Sequence, residues 1–460
     1  MFQAFEWHVP DDKAHWRRLQ RALSSFKAMG IDNIWIPPGC KAANPSENGY
    51  DIYDLHDLGD FAFGAQELGT GVIWDAVLNH KAGADSLEQL LAVKVDPKDR
   101  NQEISPATDI AGWVGFGFPG RGNHYSALRY NKRHFAGVDW DENLKENAIF
   151  KISGPNKGWA ADVSNENGNY DYLMFANLDY SNPEVREDVL HWGSWIATQL
   201  PLAGMRLDAV KHFSASFQNA FIENLRTQLG EDFFFVGEYW KAELDVLVEY
   251  LERMEYRLSL FDVPLLDRFS KMSRTEGADM RQIFEDTLVQ WSPENAVTFV
   301  ANHDTQSGQS LEAPVMSFFK PLAYALILLR DKGQPCVFYG DLYGIFGDNK
   351  TPQRLNMSLY ANGEQRDYFD RENCIGFVRY GNLRHPFGLA CIMSNAGSTR
   401  KRMYIGQTHS GEQWTDILGN RTETVTIDKK GYGVFPVAAY SVSVWVDPLA
   451  ENRDTLHQVL

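Results

Sequence analysis

The sequence predicts an α/β fold in which short buried strands alternate with helices, as in a (β/α)8 TIM barrel. Two observations predict it. Strand-like and helix-like segments alternate regularly up to about residue 370. Three of the short apolar runs are each followed by a carboxylate, and two of these carboxylates, Asp208 and Glu238, lie about one strand–helix unit apart. We therefore expect a parallel sheet with polar groups at one edge.

The predicted elements follow in chain order. Strands are expected at 2–7, 31–38, 71–80, 204–210, 233–239, 257–265, directly before Asn302, and at 335–341. Helices are expected at 16–30, 183–196, 216–228, 241–254 and 321–330. Gly30 is suited to end the first helix, and Pro183 suits the first position of the second.

The alternation is interrupted once and later gives way to another pattern. Residues 81–175 are polar, rich in Gly, Asn and Asp, and lack helical periodicity, which predicts an irregular subdomain inserted after the third strand. After about residue 370, short β-like runs with turn signals predict a C-terminal antiparallel β-sandwich domain. The expected units are a barrel of 1–80 and 176–369, an insertion of 81–175 and a β domain of 370–460.

One barrel helix, the one after the second strand, is missing from the pattern. A parallel crossover from Pro38 to Gly71 needs a helix of about a dozen residues. Residues 49–70 offer at most a single turn at 65–68, and 349–360 show little of the pattern expected before an eighth helix. Three explanations stay open: an erroneous gene model, a compensated natural variant, or an unstable chain that has lost activity.

The composition of the chain limits the kinds of molecule and the compartments that suit this protein. The net charge of −17 disfavours nucleic acid and anionic membranes and suits a neutral substrate. No apolar run approaches the ~20 residues of a membrane span, and the start of the chain shows no secretory signal. The four scattered cysteines indicate buried free thiols. We expect a cytoplasmic monomer, or a secreted one if the N-terminus is clipped.

The surroundings of the three carboxylates in the sequence indicate which reaction they could catalyse. Asp208 lies two residues after Arg206, so on a strand both point to one face, and the guanidinium should keep Asp208 ionised. Glu238 follows an apolar run that should raise its pKa, as a general acid requires. Asp304 follows His303, a hydrogen-bond donor. Each acid alone is also explained by helix capping or arginine pairing, but their repetition favours a sugar-cleaving site.

Four short segments resemble, in order, the four signature regions of the α-amylase family of glycoside hydrolases. They are D-A-V-L-N-H (75–80), G-M-R-L-D-A-V-K-H (204–212), V-G-E-Y-W (236–240) and V-A-N-H-D (300–304). The similarity covers nearly the whole chain and points within the family to the liquefying bacterial and intracellular fungal α-amylases.

The resemblance implies retaining hydrolysis of internal α-1,4-glucosidic bonds in starch or glycogen through a covalent glycosyl-enzyme. It implies that Asp208 is the nucleophile, Glu238 the general acid/base and Asp304 a group that grips sugar hydroxyls and stabilises the transition state. The implied substrate-binding residues are Tyr50, Asp75, His80, Arg206, Lys211, His212, Trp240 and His303.

The resemblance also implies one structural Ca²⁺ between barrel and insertion. The matching ligands are Asn79, Asp171, Asn177 and the backbone carbonyl of His212. Related chains usually carry Asp at position 177, so Asn177 should weaken the site, and acids for a second metal cluster are lacking. The alternative is that these oxygens only hydrogen-bond one another.

Other functions stay open. The same three acids would serve a transglycosylase or an oligo-α-glucosidase, because water and sugar acceptors compete for one intermediate. A catalytically silent glucan-binding protein would follow if the missing helix disables the barrel. A metal-dependent hydrolase built on Asp75, Asn79 and His80 is a more distant hypothesis, because no matching ligand set accompanies them.

Overall fold

The computed structural model describes residues 1–58, 70–345, 361–383, 385–450 and 453. The first part contains β1 (Phe2–Gln3), α1 (His15–Ala28), β2 (Asn33–Trp35), β3 (Lys41–Ala42) and β4 (Ile52–Asp54). Next come β5 (Gly71–Ala76), β6 (His80–Lys81), β7 (Ser86–Asp96), β8 (Asp99–Glu103), β9 (Thr108–Gly115), β10 (Phe135–Asp141), β11 (Glu146–Ile152) and β12 (Ala176–Leu178).

The alternating part continues with α2 (Pro183–Gln199), β13 (Leu202–Leu207), α3 (Ala215–Leu229), β14 (Phe234–Gly237), α4 (Leu244–Arg253), β15 (Ser259–Phe261), α5 (Val263–Arg274), α6 (Leu288–Trp291), β16 (Ala296–Phe299), α7 (Lys320–Leu329), β17 (Gln334–Phe338) and α8 (Tyr339–Tyr343). The last part contains β18 (Gln365–Arg371), β19 (Cys374–Arg379), β20 (Leu389–Ser394), β21 (Thr399–Tyr404), β22 (Gln413–Asp416), β23 (Thr424–Thr426), β24 (Tyr432–Val437) and β25 (Ser441–Val446).

Eight strands close into a parallel barrel, which confirms the predicted fold class. Around the ring the order is β1, β2, β5, β13, β14, β15, β16 and β17, and β17 pairs again with β1. The strands are short and largely buried on both faces, as parallel barrels require. The carboxyl ends of all eight strands therefore meet at one mouth.

Most predicted strands end earlier than the sequence indicates, and two of them turn directly into a helix. The segment 257–265 was expected to be one strand, but it turns into α5 at Val263. The reason is Asp262, whose carboxylate accepts from the backbone N–H of Leu265 at 3.0 Å and so caps the helix. The segment 335–341 likewise changes at Phe338 from β17 into α8. The helix cap predicted before Pro183 is present, because Asn182 accepts from the N–H of Glu184.

The insertion is more regular than its sequence predicts. Its main sheet runs β6, β12, β10, β11 and β7, and β8 and β9 also pair with β7. In β7 the buried Leu90 and Ala92 alternate with the exposed Leu91, which is the pattern of a half-buried antiparallel strand. Strands β6 and β12 carry the chain out of the barrel and back.

The C-terminal strands form the predicted antiparallel β domain. One sheet has the order β18, β19, β20, β25, β22 and β23, and β21 pairs with β24 in a second sheet. Trp414, Phe435 and Trp445 form a buried core between the two sheets. Arg330 at the end of α7 joins the barrel to this domain through two bonds to the Asp367 carboxylate, of 2.8 and 3.1 Å. The exact boundaries of the three units stay a prediction.

The structure describes only part of the crossover in which a helix is missing. Residues 36–58, which are all described, form β3, β4 and turns and contain no helix. The possible turn at 65–68 and the altered segment 349–360 lie outside the described residues. All four cysteines are buried free thiols, as predicted. Among the described helices, none combines the length and the apolar character that crossing a membrane requires.

Candidate active site

Acidic side chains meet at the carboxyl ends of the barrel strands. Asp75 lies on β5, Asp208 directly follows β13, and Glu238 directly follows β14. The parallel register places Arg206 opposite Asp75 on one side and opposite Val236 on the other. Neighbouring strands thus bring together residues that are far apart in the sequence.

Arg206 is the centre of this cluster. Its Nη1 lies 2.8 Å from Asp75 Oδ1 and 2.6 Å from Asp208 Oδ1, and its Nη2 lies 2.8 Å from Glu238 Oε2. The guanidinium is buried, so an unpaired charge here would be costly, and its three carboxylate partners offset that cost. The sequence predicted the contact with Asp208 but not those with Asp75 and Glu238.

Asp75 is held on every side. Its Oδ2 accepts from the Tyr50 hydroxyl at 2.7 Å and from Trp35 Nε1 at 2.9 Å, while Oδ1 faces Arg206. The carboxylate is fully buried, and burial raises its pKa while Arg206 opposes the rise. A buried carboxylate with three donors is rigid, so Asp75 fixes both Arg206 and Tyr50 in place.

Three aromatic rings lie nearly parallel beside the carboxylates. Tyr50 and His303 have ring centroids 5.0 Å apart and planes at 4°. Trp7 lies 6.1 Å from Tyr50, also at 4°, and 5.9 Å from His303 at 7°. His80 joins them through Nε2, which donates to the backbone carbonyl of Tyr50 at 2.9 Å. Such flat surfaces suit the C–H face of a sugar ring.

His303 and Asp304, which follow β16, form a pair beside Tyr50 and Glu238. The amide nitrogen of Gln3 lies 2.8 Å from His303 Nδ1. An amide nitrogen only donates, so Nδ1 accepts and Nε2 carries the proton of the neutral ring. Burial keeps the His303 pKa well below its usual value, and Nε2 lies 3.2 Å from Asp304 Oδ2.

Burial dominates the titration of the carboxylates. It raises the pKa of Asp208 to about 7, although Arg206 opposes the rise and Glu238 adds to it. Arg206 lowers the pKa of Asp208 as expected, but the net shift is upward because desolvation outweighs the ion pair, so the expectation that Arg206 keeps Asp208 ionised is not met at low pH. The pKa of Asp304 is also well above its usual range, through burial first and then the negative charge of Glu238. Asp208 and Asp304 thus hold their protons more tightly than exposed aspartates do.

The remaining predicted substrate-binding residues lie towards the insertion. Lys211 Nζ is 3.0 Å from Glu166 Oε2 and 3.2 Å from the carbonyl of Trp240, so these groups form one wall of the mouth. His212 Nδ1 donates to the carbonyl of Tyr170 at 2.9 Å. The substrate-binding role of His212 stays a prediction.

The four residues expected to hold a cation converge beneath the insertion. Nδ2 of Asn79 lies 2.8 Å from the carbonyl of His212, 3.1 Å from Asn177 Oδ1 and 3.5 Å from the carbonyl of Asp171. These oxygens therefore hydrogen-bond the amide, as the alternative interpretation of the sequence expected. Burial raises the pKa of the Asp171 carboxyl to about 7.

The same cluster also fits a hard cation. Nε2 of His80 donates to Tyr50, so Nδ1 of this neutral ring can only accept, and the atom 3.3 Å from it is Oδ1 of Asn79, a second acceptor. A half-turn of the Asn79 amide would place Nδ2 against His80 and Oδ1 among the other oxygens. The side chain of Asn177 lies close enough to Asp171 to lower the pKa of that carboxyl, so both face the same small polar cluster. An all-oxygen set with one carboxylate matches the ligand preference of Ca²⁺.

Sequence reasoning missed three residues of this site. Gln3 is the last residue of β1 and Trp35 the last of β2, and Trp7 follows β1 closely. The predicted strands 2–7 and 31–38 extend past the observed ends of β1 and β2, so Gln3 and Trp35 were expected inside strands and only Trp7 was expected at a strand end. Their side chains lacked an obvious chemical role until the contacts with His303 and Asp75 were visible.

Known proteins share both the barrel and the C-terminal domain. The family model "Alpha amylase, catalytic domain" matches residues 10–379, and "Alpha-amylase C-terminal" matches 389–446. The chain is 44% identical over 476 residues to the glucan 1,4-alpha-maltohexaosidase of Bacillus sp. (strain 707), covering 97% of this chain and 92% of that protein.

Two further relatives have similar coverage. The alpha-amylase of Bacillus licheniformis is 44% identical and covers 97% of this chain and 93% of its own length. The cytoplasmic alpha-amylase of Escherichia coli (strain K12) is 39% identical, with 97% of this chain and 98% of that protein covered. With the closed barrel and the acidic cluster at its mouth, these matches show that the chain belongs to the α-amylase family of glycoside hydrolases.

Proposed function

We propose that the protein hydrolyses internal α-1,4-glucosidic bonds of starch- or glycogen-type glucans with retention of anomeric configuration. The observation that carries this proposal is the guanidinium of Arg206, which bonds Asp208 at 2.6 Å and Glu238 at 2.8 Å. A guanidinium is small, so two carboxylates on its two terminal nitrogens lie close together. Retaining glycosidases hold their two catalytic carboxyl groups roughly 5 Å apart, and inverting ones hold them further apart, so this closeness favours the retaining mechanism.

The first step uses the two carboxylates in different protonation states. Asp208, ionised, attacks the anomeric carbon, while Glu238, protonated, donates its proton to the glycosidic oxygen. The bond to the leaving sugar breaks, and an ester between Asp208 and the sugar forms. Arg206 neutralises the two carboxylates in turn, because it contacts both.

The second step reverses the roles. Glu238, now ionised, takes a proton from water, and the water oxygen attacks the anomeric carbon and releases Asp208. Asp304 and the Nε2–H of His303 face the position where sugar hydroxyls would bind, and the parallel rings of Trp7 and Tyr50 offer a flat surface for the sugar. These groups would stabilise the distorted sugar.

Product analysis on soluble starch tests the endo-acting hypothesis. Rapid loss of iodine staining with release of oligosaccharides supports endo-hydrolysis. Release of glucose alone would indicate an oligo-α-glucosidase, and products longer than the substrate would indicate a transglycosylase. The names of the Bacillus relatives, alpha-amylase and maltohexaosidase, favour endo-hydrolysis.

The catalytically silent alternative predicts glycogen binding without release of reducing sugar. The described barrel is closed, and its three acids and Arg206 meet at the mouth, so the groups that hydrolysis needs are in place. Exchange of Glu238 for Gln should abolish hydrolysis while glycogen binding persists. No ligand set of three or more His, Cys, Asp or Glu side chains is present among the described residues, which leaves a metal-dependent hydrolase without support.

The proposal includes one structural Ca²⁺ held by Asn79, Asp171, Asn177 and the carbonyl of His212. It would cross-link the barrel to the insertion and take no part in the chemical steps. Asp171 is the one carboxylate of this set, because position 177 is Asn, so affinity should be lower than with two carboxylates.

Location and assembly belong to the same proposal. The Escherichia coli relative is named a cytoplasmic alpha-amylase, which supports a cytoplasmic enzyme that acts on storage glucan. We expect a monomer that binds neither nucleic acid nor membranes, since the net charge is −17. Cell fractionation and light scattering of the purified protein would test location and oligomeric state.

A further inference from the structure

The residue that follows Asp208 has a strained backbone. Ala209 has φ of +49° and ψ of +41°, in the left-handed region that residues with a Cβ atom avoid. Asp208 itself stays joined to the barrel, because its N–H donates to the carbonyl of Ala76 at 3.1 Å. The chain therefore turns sharply at the single residue behind the proposed nucleophile. Strain of this kind persists only where surrounding bonds hold it, and it is concentrated at functional sites.

The turn at Ala209 directs two successive N–H groups at Glu238. The N–H of Ala209 donates to Glu238 Oε2 at 3.3 Å, and the N–H of Val210 donates to the backbone carbonyl of Glu238 at 3.2 Å. In an extended strand, successive N–H groups point to opposite sides, whereas a left-handed residue between them lets both face one side. The conformation of Ala209 therefore allows one turn to hold the side chain and the backbone of the proposed acid.

A buried amide holds this turn from behind. Gln218 on α3 is buried and donates through Nε2 to the carbonyls of Val210 and Phe213, each at 2.8 Å. Its Oε1 accepts from the hydroxyl of Tyr250 on α4. Both hydrogens of the amide nitrogen are used, so the turn cannot relax without leaving buried polar groups unpaired.

The donors around Glu238 indicate which of its oxygens carries the proton. Oε2 faces Arg206 Nη2 at 2.8 Å as well as the N–H of Ala209. An oxygen that accepts from two donors is stabilised in its charged form. The carboxyl of Asp304 also hydrogen-bonds Glu238, and two carboxyl groups bond each other only through a proton. The proton of Glu238 therefore belongs on the other oxygen, Oε1.

We propose that Ala209 is a positioning residue whose backbone N–H fixes Oε2 of Glu238, so that Oε1 gives and takes the catalytic proton. This inference rests on the proposed function. In the first step the proton on Oε1 passes to the glycosidic oxygen, while the bond from that oxygen to the anomeric carbon breaks and the ester with Asp208 forms. The negative charge left on Glu238 is then stabilised at Oε2 by Ala209 and Arg206. In the second step Oε1 takes a proton from the water that cleaves the ester.

Replacement of one backbone N–H by oxygen tests this contact without altering a side chain. Lactic acid in place of Ala209, introduced into the full chain by nonsense suppression, keeps the methyl group and removes the donor to Oε2. The matched control places 2-hydroxyisovaleric acid at Val210, which removes the bond to the backbone carbonyl of Glu238 instead. The measurement is kcat/KM on maltoheptaose, whose sugar leaving group needs a proton, and on α-maltosyl fluoride, whose fluoride leaves without one.

The ester at Ala209 should slow the two reactions unequally. We expect kcat/KM for maltoheptaose to fall about tenfold or more, which is part of the 10²–10⁴ that a positioned acid supplies. The value for α-maltosyl fluoride should stay within about threefold of that of the unmodified enzyme, because no acid is needed. The ester at Val210 should change both values alike, since it leaves the carboxylate contact in place. A loss of folding alone would also lower both values together.

A second variant provides the same test with ordinary side chains. Gln218→Leu/Tyr250→Phe releases the turn that carries the N–H of Ala209, so the loss on maltoheptaose should again exceed the loss on α-maltosyl fluoride. Melting curves identify which proteins are folded.

Three results would count against these expectations. A ratio of the two kcat/KM values that is unchanged in the Ala209 ester would overturn the proposal, and so would an equal change of that ratio in the Val210 ester. If neither ester protein folds, an unchanged ratio in the folded Gln218→Leu/Tyr250→Phe variant would overturn it in their place. Absence of hydrolysis of either substrate by the unmodified enzyme would refute the proposed function, and this inference with it.

Discussion

Arg206 Nη2 lies 2.8 Å from Glu238 Oε2, so one guanidinium joins the carboxylate at the end of β13 to the carboxylate at the end of β14. This contact makes Arg206 the shared counter-ion of both groups that are proposed to act in turn. Each carboxylate changes its charge during the cycle, and a fixed positive charge between them limits the cost of both changes.

Arg206→Lys should impair the enzyme strongly. A lysine ammonium is a point charge that cannot bond Asp75, Asp208 and Glu238 in the fixed fork geometry of a guanidinium. We expect kcat/KM to fall by about 10²–10³, the loss typical of removing one preorganised electrostatic contact. Steady-state kinetics on a chromogenic maltoheptaoside would measure it, with circular dichroism to verify folding. Full activity in the variant would show that the shared contact is unimportant.

The acid limb of the pH profile should lie near neutrality. Burial raises the pKa of Asp208 to about 7 from an ordinary value of 3.8. The nucleophile must be ionised, so kcat/KM should fall as the pH drops below about 7, by roughly tenfold per unit. A profile that stays flat down to about pH 5 would contradict the raised pKa of Asp208.

The raised pKa of Asp208 also makes the stability of the folded protein depend on pH. Because the folded pKa of Asp208 is raised, the native state binds more protons than the unfolded chain between about pH 4 and 7. This carboxyl therefore contributes stability at low pH that is lost as the pH rises through about 7. The Tm of Asp208→Asn minus that of the parent should become more positive from about pH 4 to 7 and level off above that range. A difference that is constant with pH would refute the shift.

Asp75→Asn should act through Arg206 and Tyr50. The Tyr50 hydroxyl and Trp35 Nε1 both donate to Asp75 Oδ2, at 2.7 and 2.9 Å. An amide removes one of the three carboxylates around Arg206 and turns one of its two buried acceptors into a donor, and this mismatch should lower stability by about 2 kcal/mol. We expect kcat to drop about tenfold or more because the ring of Tyr50 loses its anchor. Chemical denaturation and kinetics check both effects. Parent-like stability of the Asp75→Asn variant would show that the ion pair is dispensable.

Calcium should stabilise the protein weakly, and Asn177→Asp should strengthen the effect. The substitution adds a second carboxylate to a set in which Asp171 is the sole acid. Treatment with EDTA should lower the Tm of the parent, and half-saturation by Ca²⁺ should need about tenfold less metal in Asn177→Asp, in line with the effect of ligand charge on affinity. Asp171→Asn is the matched control and should not respond. No Tm change with EDTA in either the parent or Asn177→Asp would exclude the calcium site.

Much of this architecture could be predicted because short strands leave a strong local signal. The barrel strands and the acids that follow them depend on apolar runs and on the next residue, so Asp208 and Glu238 could be placed at one mouth. The contact between Arg206 and Glu238 could not be predicted, because it depends on the register of β13 against β14, which pairs Arg206 with Val236.

Other features depend on contacts between distant segments. The insertion was expected to be irregular because its strands are polar and lie between long turns, although the alternation that buries Leu90 and Ala92 was a weak sign of a sheet. The pKa of Asp208 was misjudged because the ion pair with Arg206 is visible in the sequence, whereas the depth of burial is not. The left-handed conformation of Ala209 leaves no sign in the sequence, so its backbone contact appears only in the fold.

The central claim is that Asp208 forms the covalent bond to the sugar and Glu238 transfers the proton. Incubation of Glu238→Gln with an α-maltosyl fluoride, which needs no acid to leave, should trap the intermediate because its hydrolysis lacks a base. Mass spectrometry of the digested protein should then find one maltosyl group on the peptide that contains Asp208. A maltosyl group on Asp304 or on any other residue, or no adduct while fluoride is released, would contradict this mechanism.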